Sequence, residues 1–410
     1  MKKINPQRVL LFVVLFGTML TFGLVENIRG ISYPLIRDEF DVPFERQGIM
    51  VAMIALAYAL SNILAGIFLG RFGIKPATFA GFAAIGLGIV LIPFVPGFFP
   101  VTVALFIVSG GGGFLEIGMN ALASRVFVAK AALLMNLLHS FYGLGSVIGP
   151  RVAGFIISET EFGWRSAYLF SLPLVLLTLS LALIARFPKN DPQADGAPEP
   201  AGASAGTDPE IDTGQKTFFD ALRTPMVWLF AAILGLGVII EVTTPNWGPL
   251  YFLDIHGLCP ATEGAAFIST FFLLFTLSRL ICGPLVEKIG YVRSLLGVSV
   301  LTLAVFAVGF SMGARGIYVL PALGFLVALF WPTMMAVAIV TFRKDAPVFA
   351  GAMIAIAGLI NSVAQFLVGL TNRMIGPAWG YRSGMFYTAL LALLLLFLYK
   401  NLKRRSVKKI

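Results

Sequence analysis

Gly283-Pro-Leu-Val-Glu287-Lys288-Ile-Gly290-Tyr-Val-Arg293 is a short charged interruption between two long apolar runs, and the chain carries a second version of it. The other copy is Gly66-Ile-Phe-Leu-Gly70-Arg71-Phe-Gly73-Ile-Lys75. Setting Gly66 against Gly283 also sets Arg71 against Lys288 and Gly73 against Gly290. Each copy follows the second of six apolar runs, so the repeat divides the chain into two halves of like plan.

The apolar runs themselves are long. The chain has 410 residues, 58% of them hydrophobic and only 12% charged, with a mean hydropathy of +0.90. Soluble domains carry about a quarter charged residues. Runs that reach about 20 residues match the thickness of a bilayer. Backbone in lipid must bond to itself, so such runs are helices. A barrel would show alternating strands of about ten residues, and none are visible. The spans read at about 9–33, 46–69, 77–95, 100–123, 131–157 and 164–187, then 225–253, 263–286, 294–312, 317–341, 348–375 and 383–400. The first run is too long for a cleavable leader and lacks a small-residue cleavage site, so it is expected to remain as a helix. The expected fold class is an all-α membrane protein, with twelve transmembrane helices in two pseudo-symmetric six-helix bundles.

The halves are joined by the one long polar stretch. Residues 188–223 are rich in Pro, Gly, Ala and acidic side chains and read as a disordered cytoplasmic linker. The expected organisation is therefore residues 1–187 as the first bundle, 188–223 as the linker, and 224–410 as the second bundle with a basic tail.

Charge gives the orientation. Of the 30 Lys and Arg, 21 fall on one side of the expected spans, including Lys2, Lys3, Arg71, Lys75, Lys288, Arg293 and the tail from Lys400. Seven fall on the other: Arg29, Arg37, Arg46, Arg165, Arg315, Arg373 and Arg382. A threefold bias puts both termini in the cytoplasm and the protein in the cell inner membrane. The net charge of +10 is then an effect of orientation and lipid headgroups, with no nucleic-acid partner implied. Cys259 and Cys282 sit at opposite ends of the eighth span, too far apart to bridge. There is no metal-ligand spacing and no phosphate-binding loop, so no cofactor is expected. Gly110-Gly111-Gly112-Gly113 lies within the fourth span and reads as a close helix contact.

The two repeated loops resemble the short cytoplasmic motif of the major facilitator superfamily, G-x-x-x-D/E-R/K-x-G-x-R/K. The second copy supplies Gly283, Glu287, Lys288, Gly290 and Arg293. The first supplies Arg71, Gly73 and Lys75 but has Gly70 where the acid belongs. The resemblance implies the major facilitator fold and a conformational role for these loops. In the family the acid helps to hold neighbouring helices in the outward-open state, a lock that Gly70 would remove from the first half.

Function is written in the charges that lie inside the spans. Glu26, Glu116 and Glu241 fall within spans one, four and seven. A charge at mid-membrane costs at least about 2.5 kcal/mol, and intramembrane ionisable groups mark pathways by default. Such a carboxyl either finds a partner or takes up a proton, and a group that alternates between wet and dry surroundings can load and unload one. Pairing with Arg29, Arg151 or Arg279 is the purely structural alternative. Glu116-Ile-Gly-Met-Asn120 places a carboxyl and an amide on one helix face, a pair suited to a polyol. The first span adds Glu26-Asn27.

This combination resembles the fucose:proton symporter family, which has an acid in helix 1 and an E-x-x-x-N motif in helix 4. The resemblance implies proton coupling by Glu26 and Glu116 and sugar binding by Glu116 and Asn120, with Asn27 alongside. Asn136-Leu-Leu-His139-Ser-Phe-Tyr142-Gly143-Leu-Gly145 is similar to the start of helix 5 in that family and adds His139 and Tyr142 to the candidate site. Span seven contains Glu241-Val-Thr-Thr-Pro245-Asn246-Trp247-Gly248-Pro249. Two prolines and a glycine suggest a break there, and Trp247 beside Asn246 and Glu241 suggests a sugar platform, against the plainer reading of interfacial anchoring. Asn361 and Gln365, also i and i+4, are expected to face the same cavity or to join helices.

The expected function is proton-coupled uptake of a small neutral polyhydroxylated solute, a monosaccharide, by alternating access in a monomer. The partners are the solute, a proton (sodium would serve the same groups) and the bilayer. No enzyme chemistry is implied. Two other transport readings compete. Gly145-x-x-x-Gly149-Pro150-x-x-Ala153-Gly154 is similar to the signature of drug:proton antiporters, which export. Uptake of an organic anion would need a cavity cation, for which Arg151 and Arg279 are the candidates, and the three buried carboxyls weigh against it. A non-transporting receptor would carry soluble domains or interaction tails.

Overall fold

A computed structural model describes residues 6–127, 131–161, 163–188 and 217–404. Among the described residues, twelve helical spans are long and apolar enough to cross a membrane: α1 Pro6–Phe40, α2 Phe44–Phe72, α3 Ile74–Leu91, α4 Phe98–Val126, α5 Leu134–Glu159, α6 Gly163–Ile184, α7 Pro225–His256, α8 Pro260–Ile281, α9 Tyr291–Ser311, α10 Gly313–Asp345, α11 Val348–Ile375 and α12 Trp379–Leu402. An even number of crossings leaves both ends of the described chain on one side, called here the termini end; the opposite side is the far end. The twelve-span expectation therefore holds, and the helices form the two six-helix halves of the major facilitator fold. Lys2, Lys3, the tail beyond Arg404 and residues 189–216 of the expected linker lie outside the described residues.

Three local departures from the sequence reading have identifiable causes. The last part of the expected linker forms a short helix, Phe218–Leu222, capped reciprocally by Thr217 and Asp220; this capping box satisfies two end N–H groups at once. The first span is interrupted at Ile28, between helices Pro6–Asn27 and Arg29–Phe40. The tenth begins as tight 3-10 turns, Gly313–Tyr318 and Leu320–Ala322, before regular helix resumes. Pro321 lacks the N–H that a continuing helix needs at that point.

The repeat read in the sequence is also a repeat of backbone geometry. Gly73 and Gly290 have φ of 92° and 98°, a region costly for any side chain. Their N–H groups bond to Leu69 and Val286, ending α2 and the short helix after α8 in the same way. Within the first half α1 packs on α5 and α4 on α3; within the second α7 packs on α11 and α9 on α12. The halves meet along α2 with α11 and along α5 with α8. Gly48 and Gly369 permit a close approach at the α2–α11 seam: a Cβ built on Gly369 would lie 2.6 Å from the Gly48 Cα. Without a hydrophobic force between helices in lipid, small residues of this kind make the seam.

Candidate functional site

The inner face of α4 carries Glu116 and Asn120 one turn apart, both half-buried. Glu116 Oε2 and Asn120 Oδ1 are shielded from solvent, and neither has a hydrogen-bond partner among the described residues. Buried polar atoms are nearly always satisfied, and an exception asks for an unseen ligand or water. Opposite them α8 presents Arg279, half-buried, with its guanidinium 4.4 Å from the centre of the Phe275 ring and its Nε also without a partner. Arg279 lies close enough to act electrostatically on Glu116, Glu241 and His139. Among the described residues, neither carboxylate makes a direct ion pair with it. The cation thus shares one electrostatic field with Glu116 of α4, Glu241 of α7 and His139 of α5. Arg151 is exposed on the outside of α5 and does not contribute.

Glu26 belongs to a second layer, nearer the far end. It forms a buried ion pair with Arg29, three residues on across the Ile28 interruption, and accepts a weak bond from Ser109 at 3.5 Å. Arg29, counted in the sequence among the charges of the far side, is therefore an interior residue. A void of about 10 Å³ adjoins the pair, bounded in part by Ser109 and Tyr168, room for about one water. Arg29 Nε and the hydroxyl of Tyr33 have no partner among the described residues. Glu26 remains within electrostatic range of Glu116, so the two layers are coupled.

Several expected solute contacts are instead ties between helices. Asn27 donates to the Gly23 carbonyl and to Ser146 Oγ, both at 2.9 Å, joining α1 to α5. Tyr142 packs on Phe22, ring centres 5.0 Å apart. Trp247 is 1% exposed, and its indole N–H donates to Gln365 Oε1 at 2.9 Å. Gln365 Nε2 in turn donates to Thr243 at 3.1 Å and Asn361 at 3.0 Å. Asn246 is buried with them. Trp247 is buried and not at an interface, and its polar edge is engaged by a network that fastens α7 to α11. Nor does α7 break. Pro245 and Pro249 lie inside one continuous helix from Pro225 to His256, most of whose residues around them are buried.

The loop motifs perform matched structural tasks. Lys75 Nζ donates to the carbonyls of Leu183 and Ala185 at 2.9 and 3.0 Å, closing the end of α6. Arg293 donates to the Tyr399 hydroxyl at 3.1 Å on α12, the equivalent helix of the second half. Arg293 stands one position beyond the last basic place of the motif, yet reaches the equivalent target. Gly70, Arg71, Glu287 and Lys288 are exposed, and Gly283 has open space around it.

The sequence reading missed the fastening at the far end. Arg37 of α1 pairs with Asp254 of α7, at 2.5 and 2.7 Å. Arg373 of α11 pairs with Glu45 of α2. Both pairs cross from one half to the other. The only sequence signal was a sparse set of charges beside span ends, which does not disclose partners more than two hundred residues apart.

Two halves of six helices, a polar centre between them and ion pairs across the seam at one end are the plan of the major facilitator fold. The model of the Major Facilitator Superfamily matches residues 11–347, and the chain belongs to that superfamily. Among curated proteins it is similar to a hexuronate transporter of Bacillus subtilis (strain 168), 26% identical over 256 residues, which is 61% of this chain and 57% of that one. It is also similar to a probable sulfoacetate transporter of Cupriavidus necator, 30% identical over 141 residues, 34% and 32% of the two chains. An MFS-type transporter of Mus musculus, SLC18B1, is 24% identical over 298 residues, 69% of this chain and 59% of that one. The chain thus spans less than two thirds of the length of each of these relatives.

Proposed function

We propose that this protein imports a small polyhydroxylated organic acid together with at least one proton. The observation that carries the reading is Arg279 in the electrostatic field of Glu116 and Glu241 without an ion pair among the described residues, where Glu116 Oε2 and Asn120 Oδ1 also lack partners. Arg279 would take the carboxylate of the solute, since a guanidinium fork matches that group in shape and charge. Asn120 and Glu116 would bond its hydroxyls. The sequence pointed to a neutral monosaccharide; the interior position of Arg279 shifts the preference to an acid. Two relatives whose names refer to hexuronate and sulfoacetate support the shift.

Charge balance supplies the coupling. The Glu26–Arg29 pair is neutral in itself. Arg279 with two ionised carboxylates is formally negative and repels an anion. A proton on Glu116 or Glu241 removes that repulsion, so solute and proton enter together. With the acid bound, the centre can close and the halves can rock about the α2–α11 and α5–α8 seams. Deprotonation and loss of the acid on the low-proton side return the carrier.

A neutral sugar is the second reading, favoured by the i, i+4 pair of Glu116 and Asn120. Export draws no support from Gly145 and Gly149: a Cβ on either would lie 2.1 or 2.4 Å from a carbonyl oxygen of α1, so packing accounts for both. The deciding experiment is a proteoliposome panel of hexoses, hexuronates and aldonates with and without an inward proton gradient. The reading expects gradient-driven accumulation of an acid and none of the matching hexose. The reverse order would establish the neutral reading, and extrusion against the gradient would establish export.

A further inference from the structure

A crevice of about 650 Å³ opens between α9, α11 and α12 at the far end, well away from the polar centre. Its walls are mainly apolar, with Phe310, Met385 and Phe386 among them, and Phe386 is 67% exposed on the outer surface of the bundle. The crevice therefore faces the bilayer laterally. One charge lines it: Arg382, half-buried. Three aromatic rings surround that guanidinium, Tyr251, Phe310 and Trp379, with centres 5.8, 5.6 and 5.6 Å away. Its recorded hydrogen bond is a long one, 3.3 Å to the Tyr251 hydroxyl, and its Nε has none. Among the described residues no carboxylate pairs with it. Arg37 and Arg373 at the same end of the molecule each have one.

A cation held at the rim of a membrane-facing groove among aromatic rings, with no counter-ion among the described residues, is costly unless an anion arrives. An anion alone would not use the apolar walls. An acyl chain alone would not use the arginine. We propose that this crevice binds an anionic phospholipid, with the phosphate on Arg382 and part of an acyl chain along Phe310, Met385 and Phe386. The lining includes no acidic side chain, so the ammonium of a zwitterionic ethanolamine headgroup finds no partner there. Phosphatidylglycerol matches the site better on that ground. Because Tyr251 belongs to α7 and Arg382 to α12, a bound lipid would hold these two helices together near the Arg37–Asp254 pair.

The test uses full-length protein purified in detergent and stripped of lipid. Thermal unfolding and native mass spectrometry are followed on adding phosphatidylglycerol, phosphatidylethanolamine or inorganic phosphate. The proposal expects a rise in unfolding midpoint and a retained lipid with phosphatidylglycerol, at least fivefold weaker retention of phosphatidylethanolamine, and no shift with phosphate alone. Arg382→Gln should remove the preference between the two lipids. Should that variant fold poorly, Met385→Trp, which fills the groove and leaves the arginine, should reduce retention of both lipids. Equal lipid retention in wild type and Arg382→Gln, or a full shift with inorganic phosphate, would overturn the proposal.

Discussion

Arg37 of α1 holds both carboxylate oxygens of Asp254 of α7, with Nη1 and Nη2 at 2.5 and 2.7 Å. The side chains are only 15% and 12% exposed, so this fork is shielded and not a solvated surface pair. It joins the two halves at the far end, where α1, α7 and the start of α8 converge. Such a contact must separate if the halves are to part there.

The first expectation concerns that fork. Asp254→Asn keeps the shape and removes the charge, forfeiting about 1.5 kcal/mol or more of charge-assisted bonding. That corresponds to about a tenfold rise in the open population at the far end. The measurement is the labelling rate of a cysteine at position 120 by an impermeant maleimide, with Cys259 and Cys282 replaced by serine. Exchange of the pair, Arg37→Asp with Asp254→Arg, should bring the rate back down. An unaltered rate in Asp254→Asn would mean that the contact is incidental.

Arg279→Gln should abolish preference for acids. Loss of one charge-assisted contact costs about 1.5–3 kcal/mol, so apparent affinity should fall by roughly 10- to 100-fold. Scintillation proximity binding with a labelled sugar acid measures it. Arg279→Lys should recover part of the affinity, because charge survives and the fork does not. Equal binding in all three proteins would remove Arg279 from the site.

Gly145→Ala tests packing against signature. The added methyl would meet the Leu20 carbonyl oxygen at 2.1 Å, and backbone on both sides leaves little room to yield. Overpacking of this kind costs about 1–3 kcal/mol. The unfolding midpoint should drop while the direction of transport is unchanged. A reversal of direction with normal stability would restore the exporter reading.

Trp247→Phe should loosen the α7–α11 fastening without changing which solutes are carried. It removes the indole donor and strands Gln365 Oε1 in a buried place, at a cost of about 1–3 kcal/mol. Thermal unfolding together with the solute panel separates the outcomes. A changed solute preference with unchanged stability would return Trp247 to the binding surface.

How far the sequence carried is clear from these residues. The twelve spans and the paired loops were legible because lipid forces long helices and because Gly73 and Gly290 are needed by their backbone angles. Glu116 and Asn120 were legible because helical spacing alone puts them on one face. The partner of a side chain was not. Glu26 and Arg29 lie three residues apart, and Arg29 was one of three arginines weighed as a partner, but spacing alone did not choose among them. Trp247 and Gln365 are 118 positions apart, and no local pattern shows that they meet. Pro245 and Pro249 read as a break because sequence records the missing N–H but not the neighbours that keep the helix continuous. Arg279 was weighed as a cavity cation and set aside, because counting carboxyls does not reveal that Arg29 already neutralises Glu26.

Uptake of a labelled sugar acid into proteoliposomes carrying Glu116→Gln, with an inward proton gradient, tests proton loading at the centre most directly. The account predicts that accumulation above equilibrium disappears while exchange of internal for external solute continues, since glutamine mimics the protonated carboxyl. Accumulation at the wild-type level in that variant would contradict it.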